Sequence, residues 1–143
     1  MTEINKKTGG GASPEDWKLA SFDVSPTAVN GASGTDTSNL KCWVTDGTLF
    51  ISGYFTLNTA LAAYTSRLIG TLPEEMYAAH MAGATAFSNV AMRFSIGTNG
   101  EVYARPGATG SNTDAAYVSL VAKAVPKTEH TGKYSKVYWE RKS

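Results

Sequence analysis

Residues equipped for acid–base, nucleophilic or metal chemistry are few in this 143-residue chain, and their spacing gives them little to do together. His80 and His130 are the only histidines, and neither has a second His or a Cys at ligand spacing. His80 lies in an Ala- and Met-rich segment and reads as a packing or surface residue. His130 lies among Lys, Thr and Gly and reads as solvent-exposed. Cys42 is the single cysteine, so no intramolecular disulfide can form, and its apolar setting predicts a buried, unreactive thiol. The carboxylates are better explained locally. Asp46 belongs to an Asp46-Gly47 turn, Glu101 follows Asn99-Gly100, and Glu74 and Glu75 follow Pro73. A glycan hydrolase needs two carboxyl groups about 5–10 Å apart across a cleft. It would have to draw on Asp23, Asp114, Glu74 or Glu101, which no motif pairs. No Gly-x-Ser-x-Gly elbow, phosphate loop or dinucleotide fingerprint is present, and Gly9-Gly10-Gly11 reads as a linker. The sequence therefore predicts a non-enzymatic protein with no metal centre and no cofactor.

Aromatic side chains are the stronger signal. Trp43, Tyr54, Tyr103, Tyr117, Tyr138 and Trp139 fall in or near strand-like segments. Such rings offer rigid contact area with a polar handle, suited to sugar faces and protein partners. The plain alternative is that they fill a core. The stretch from Leu40 to Leu57 separates the two readings. Leu40, Cys42 and Val44 alternate with Lys41, Trp43 and Thr45; Asp46-Gly47 supplies a two-residue type I′ turn. Leu49, Ile51, Gly53, Phe55 and Leu57 then alternate with Phe50, Ser52, Tyr54 and Thr56. A two-residue turn sets Val44 opposite Leu49, Trp43 opposite Phe50 and Cys42 opposite Ile51. One face of the hairpin is thus aliphatic and core-facing, while the other carries Trp43, Phe50 and Tyr54. A second sheet, another subunit or a ligand must cover that second face, and a subunit interface is the leading expectation.

The elements that must position these residues are short strands. Residues 1–16 read as a flexible arm, whether hinge, docking peptide or a segment foreign to the natural chain, and residues 17–143 as one folded domain. Trp17 to Phe22 reads as a first strand, Asn30 to Asn39 as a loop, and Leu57 to Tyr64 as a helical turn or loop. Arg67 to Leu72 reads as a strand ended by Pro73. Glu74 to Ala86 is open between a short helix and an irregular connection. Val90 to Ile96 forms a second hairpin with Val102 onward. A three-residue loop with Gly100 in the left-handed region pairs Ile96 with Val102 and Phe94 with Ala104. Arg105 to Asp114 reads as a polar loop and Tyr117 to Val125 as a strand. Lys127 to Lys136 reads as a polar link, and Val137 to Trp139 as a last strand or docking tail. About seven or eight short strands with no βαβ alternation predict an all-β antiparallel sandwich or jelly roll with a flexible N-terminal arm. The net charge of +1 gives no footprint for nucleic acid. No apolar run is long enough for a transmembrane helix, and the polar first ten residues lack a signal-peptide pattern.

The order of the segments resembles a known family. Leu49-Phe50-Ile51-Ser52-Gly53 precedes Leu68-Ile69-Gly70-Thr71-Leu72-Pro73-Glu74-Glu75-Met76-Tyr77. Then come Val90 to Ile96 and Gly97-Thr98-Asn99-Gly100-Glu101-Val102. Across roughly residues 40–104 this resembles the C-terminal head domains of bacteriophage tail-fibre and baseplate receptor-binding proteins. Met76-Tyr77-Ala78-Ala79 departs from the family's Arg-Pro after the Leu-Pro segment. The resemblance implies a homo-oligomeric β-sandwich, usually a trimer, displayed on the virion outside the cell. It would recognise a host surface saccharide or protein and join other tail proteins through the arm. Candidate ligand residues are Trp43, Tyr103, Arg105, Asn112 and Asp114; candidate oligomer contacts are Trp43, Phe50 and Tyr54. A free-standing carbohydrate-binding module is the rival reading, and a glycan hydrolase the third.

Overall fold

A computed structural model describes residues 16–59, 61–80, 82–86, 92–107 and 116–142. The expected arm lies outside them except for its last residue, Asp16, whose carbonyl accepts a hydrogen bond from the Lys142 amide. The described residues form eleven strand segments and two short 3-10 helices, η1 (Glu74–Met76) and η2 (Thr128–Lys133). The strands are β1 (Trp17–Ala28), β2 (Asn30–Gly31), β3 (Thr35–Asp36), β4 (Leu40–Thr45), β5 (Thr48–Leu57) and β6 (Arg67–Thr71). They continue as β7 (Ala82–Ala86), β8 (Met92–Ile96), β9 (Glu101–Pro106), β10 (Ala116–Lys123) and β11 (Lys136–Arg141). One sheet runs β10-β5-β4-β1-β11, with β3 added beside β5; the other runs β2-β6-β9-β8-β7. Every pairing is antiparallel. The class is the expected all-β sandwich. The strand count exceeds the expected seven or eight because β2 and β3 are two-residue pairings inside the Asn30–Asn39 loop. In addition, β7 forms where a helix or an irregular connection was open.

Local chemistry explains the framework. In the β4–β5 hairpin, Val44 pairs with Leu49, Trp43 with Phe50 and Cys42 with Ile51, as the sequence predicts. Both turn residues, Asp46 and Gly47, take positive φ of 45° and 77°. The β8–β9 hairpin pairs Ile96 with Val102 and Phe94 with Ala104, also as predicted, with Gly100 at φ 81°. Gly53 is needed where β5 passes beside the start of β4. Its φ is 130°, and a Cβ there would lie 2.0 Å from the Asn39 carbonyl oxygen. β1 runs twice the expected length, and its register shifts between Val24 and Thr27, where Pro26 falls. Such an irregularity accommodates a residue that cannot donate to the ladder.

The core lies between the two sheets. Leu40, Cys42, Val44, Leu49, Ile51 and Phe55 of the first sheet face Ile69, Met92, Phe94, Ile96, Val102 and Ala104 of the second. Phe55 and Phe94 meet edge to face at 5.8 Å, joining the sheets directly. Along one side, β7 lies against β10. The 77–79 segment bonds to the end of β10, from Ala79 to Lys123 and from Val125 to Tyr77. Val137 to Trp139 lies within β11, with Trp139 buried in the core, so the docking-tail alternative does not hold.

His130 corrects a sequence expectation. It is 6% exposed, not solvated. The polar 127–136 segment folds into η2, which turns the imidazole inward against Tyr134 at 6.4 Å, edge to face. Tyr134 in turn stacks on Phe22 at 4.0 Å and closes that end of the core.

Candidate functional site

Strand alternation fixes which side chains leave the core of the first sheet. Cys42 and Val44 are buried beside Trp43, and Leu49 and Ile51 beside Phe50, so Trp43 and Phe50 point outward. On β10, Val118 and Leu120 are buried, so Tyr117, Ser119 and Val121 point outward too. The registers then build rows across three strands. Trp43 pairs with Phe50 and Phe50 with Val121; Lys41 pairs with Ser52 and Ser52 with Ser119. Tyr54 pairs with Tyr117 beyond them. The Trp43 and Phe50 rings stack at 5.5 Å with 13° between their planes, and Tyr54 meets Tyr117 at 5.5 Å. Trp43, Phe50 and Tyr54 remain half-buried, while Tyr117 and Val121 are 55% and 59% exposed. Cross-strand aromatic and β-branched pairs stabilise a sheet locally. Leaving two large apolar residues this exposed is what singles out the face. Tyr117 entered the sequence reading only as a strand aromatic and Val121 not at all. Their contribution follows from β10 pairing with β5, a contact across some seventy residues that no local pattern reveals.

Beside the Asp46-Gly47 turn, this face meets a cleft of about 650 Å³ whose lining includes Ser21, Asp46, Thr48, Val121, Lys123 and Pro126. Asp23 braces the turn from below. Its carboxylate accepts the Asp46 amide at 2.7 Å and the Tyr138 hydroxyl at 3.0 Å. Burial, and then this bond to Asp23, hold the Tyr138 hydroxyl above its ordinary range. Cys42 lies beneath the same face, its thiol 3.6 Å from the Thr27 carbonyl oxygen. Burial pushes it up to about 12, with the Glu75 carboxylate adding to the effect.

The other candidate ligand residues lie elsewhere. Val102, Ala104 and Pro106 are buried, so Tyr103 and Arg105 project from the outer face of the second sheet, across the sandwich from Trp43. The structure thus brings Tyr103 and Arg105 together on β9 and separates them from Trp43. Asn112 and Asp114 lie outside the described residues. The Tyr103 hydroxyl donates to the Glu101 carboxylate, and this bond raises its pKa. Ser95 pairs with Tyr103, and Arg93 pairs with Arg105. Of the carboxylates considered for hydrolysis, Asp23 is bound to the turn and β11. Glu74 lies 3.6 Å from His130 Nε2, and Glu101 is bound to Tyr103. Among the described residues, no group of three or more His, Cys, Asp or Glu could hold a metal ion. No described helix is long and apolar enough to cross a membrane.

No family model matches the chain, and no curated protein matches it. Among solved structures, it is similar to the head domain of phage bIL170, published as one of the receptor-binding domains of lactococcal phages. The TM-score is 0.57 at 18% sequence identity, covering 71% of this chain and 99% of that one. The two chains share a fold.

Proposed function

We propose that this chain is a non-enzymatic attachment domain of a bacteriophage tail or baseplate. It binds a host surface receptor, a saccharide first of all, as an oligomer with a trimer favoured. The observation that carries this reading is the outward row Trp43–Phe50–Val121, with Tyr54–Tyr117 beyond the row of Lys41, Ser52 and Ser119. Exposed aromatic surface of this kind is characteristic of protein interfaces, where aromatic residues are enriched and charges depleted. A second copy related by a closed cyclic axis is its natural cover. The fold shared with a phage receptor-binding head supports the class of function, although a fold by itself does not assign one. Because Trp43 and Tyr103 occupy opposite outer faces, the two expected roles divide between them. Trp43, Phe50 and Tyr54, with Tyr117 and Val121, form the oligomer contact. Tyr103 and Arg105, with the expected ligand residues Asn112 and Asp114, belong to the receptor side. The N-terminal arm joins the head to other tail proteins, which places the domain on the virion exterior.

Size-exclusion chromatography with light scattering tests the assembly, and adhesion of the labelled protein to bacterial cells tests the attachment. A trimer at micromolar concentration that adheres to a bacterial surface is expected. A strict monomer that adheres to no cell overturns the reading. A monomer whose tryptophan fluorescence changes with glycans establishes the rival carbohydrate-binding module.

A further inference from the structure

Two of the chain's four arginines have an evident partner. Arg67 donates to the Thr59 carbonyl and hydroxyl oxygens at 3.1 and 2.7 Å, and Arg141 lies over the Trp17 ring at 5.6 Å. The other two, Arg93 on β8 and Arg105 on β9, are direct cross-strand partners. Each is flanked along its strand by buried residues, Met92 and Phe94 for one and Ala104 and Pro106 for the other. Both side chains therefore leave the same outer face, and both residues are exposed. Directly opposed residues in an antiparallel pair have Cβ atoms about 4.5–5.5 Å apart, and like charges so placed are destabilising. Among the described residues neither guanidinium has an ion pair. β7, the neighbour on the other side of β8, sets Thr85 beside Arg93 and Gly83 beside Ser95, so no acid enters from that strand. Glu101, the acid on the same face of β9, is two pairs away and holds the Tyr103 hydroxyl. The outer face thus carries, in order along β9, a double positive charge at Arg105, a phenol ring at Tyr103 and a carboxylate at Glu101.

We propose that Arg93 and Arg105 together bind an oxyanion, a phosphate or carboxylate group carried by a surface glycan, with the Tyr103 ring against the adjoining sugar. The identification of the carrier as a glycan rests on the attachment reading; the anion chemistry does not. Two adjacent guanidinium forks offer parallel N–H donors to one oxyanion, and the anion removes the repulsion between them. Tyr103 stands one residue pair further along and supplies a ring face with a polar edge.

The test uses the full chain with glycerol 3-phosphate, glucuronate and glucose as probes, followed by amide chemical shifts at low and at physiological salt. Saturable shifts at Arg93, Ser95, Tyr103 and Arg105 are expected with an anionic probe and not with glucose. Phosphate and carboxylate carriers are distinguished by which of the two anions binds tighter. Arg93→Gln and Arg105→Gln should each weaken binding about tenfold, the scale of one hydrogen bond to a charged group. The double variant should bind neither anion, yet melt no lower than the parent, because an opposed like-charge pair has been removed. Failure of both anions to saturate, or unchanged binding by the double variant, overturns the proposal. A double variant that still adheres to cells as well as the parent overturns the glycan site and leaves attachment standing. Loss of adhesion by that variant alone, with its assembly intact, supports the site.

Discussion

The two outer faces of this sandwich are built by the same alternation and end in opposite chemistry. Alternate residues of β4, β5, β8, β9 and β10 are buried between the sheets, with only Gly53 and Ala122 half-buried at inward positions. Outward, the first sheet presents Trp43, Phe50, Tyr54, Tyr117 and Val121, separated by a row of Lys41, Ser52 and Ser119. Outward, the second sheet presents Arg93, Ser95, Tyr103, Arg105 and Glu101. A face that must remain in water has no use for the first set, and a face buried by another protein has no use for two opposed arginines without an ion pair among the described residues. The inward residues determine the fold, while the outward ones tell what each sheet meets. On the proposed reading function is divided by face, and substitutions should separate the faces from the core and from each other.

The largest effect is expected in the core that both faces share. Phe55 and Phe94 come from different sheets and meet edge to face. Phe94→Ala should cost about 3–5 kcal/mol, lowering the melting temperature by about 10 °C or more. Phe55→Ala should cost a similar amount, and the double variant should lose less than the sum, since the two rings fill one space. Full additivity in urea denaturation would show that the sheets do not depend on each other at this point.

The next prediction compares the faces directly. Val121→Glu places a charge at the end of the aromatic row, on β10, while Ser95→Glu places one on the opposite sheet. Val121→Glu should weaken self-association by about thirtyfold or more, the scale of an interface residue worth about 2 kcal/mol. The folding stability of its separated subunits should stay within about 0.5 kcal/mol of the parent. Ser95→Glu should leave the assembly intact and weaken anion binding. Light scattering across a dilution series reads the first outcome. If both variants associate like the parent, the aromatic face is not the contact surface.

A smaller effect sharpens the contrast by pH. The Cys42 thiol, under the aromatic face, ionises at about 12 in the folded chain, against 9.0 as its ordinary value. Below pH 9 the thiol is protonated in both states and has no influence. Above pH 9 the unfolded chain releases a proton that the folded chain retains, so stability falls as pH rises toward 12. By pH 10 the loss is about 1.4 kcal/mol. Cys42→Ala should lessen the fall of the denaturation midpoint between pH 9 and 10, whatever its own cost at neutral pH. In the parent at pH 8, a thiol reagent should modify Cys42 only after unfolding.

What the sequence revealed, and what it concealed, follows from the range of the contacts. Both hairpins, with their registers, were legible because Asp46-Gly47 and Asn99-Gly100 specify the turns and the flanking alternation permits one pairing. Cys42 was legible for the same reason. β7 was not, because Ala82-Gly83-Ala84-Thr85-Ala86 has a single β-branched residue, Thr85, among alanines and a glycine, and becomes a strand by pairing with β8. The burial of His130 was hidden by its polar neighbours, which face outward from η2 while the imidazole turns in. The aromatic face was half legible: Trp43, Phe50 and Tyr54 share a hairpin, whereas Tyr117 and Val121 join them only through β10. The ligand set was assembled from residues on different sheets, since nothing local says which sheet a strand enters. Arg93 opposite Arg105 could have been read from the predicted Phe94–Ala104 register, one pair away.

The smallest expected effect concerns Tyr103, and it probes the second face by itself. Its hydroxyl donates to Glu101, and this bond to an anionic acceptor, more than burial, raises its ionisation above the ordinary tyrosine range. Glu101→Gln removes the charge and keeps the size, so Tyr103 should titrate closer to that ordinary range. The midpoint of thermal unfolding should move little, because a half-buried pair on the outer face of a sheet adds little to folding. Ring-carbon resonances followed from pH 9 upward report Tyr103 separately from the other tyrosines. An unchanged titration in Glu101→Gln would mean that the carboxylate does not hold the phenol, and that Tyr103 is free to turn toward the arginines. A lowered one, with anion binding unaltered, would place Glu101 as the group that fixes the ring at the edge of the arginine pair without itself touching the anion.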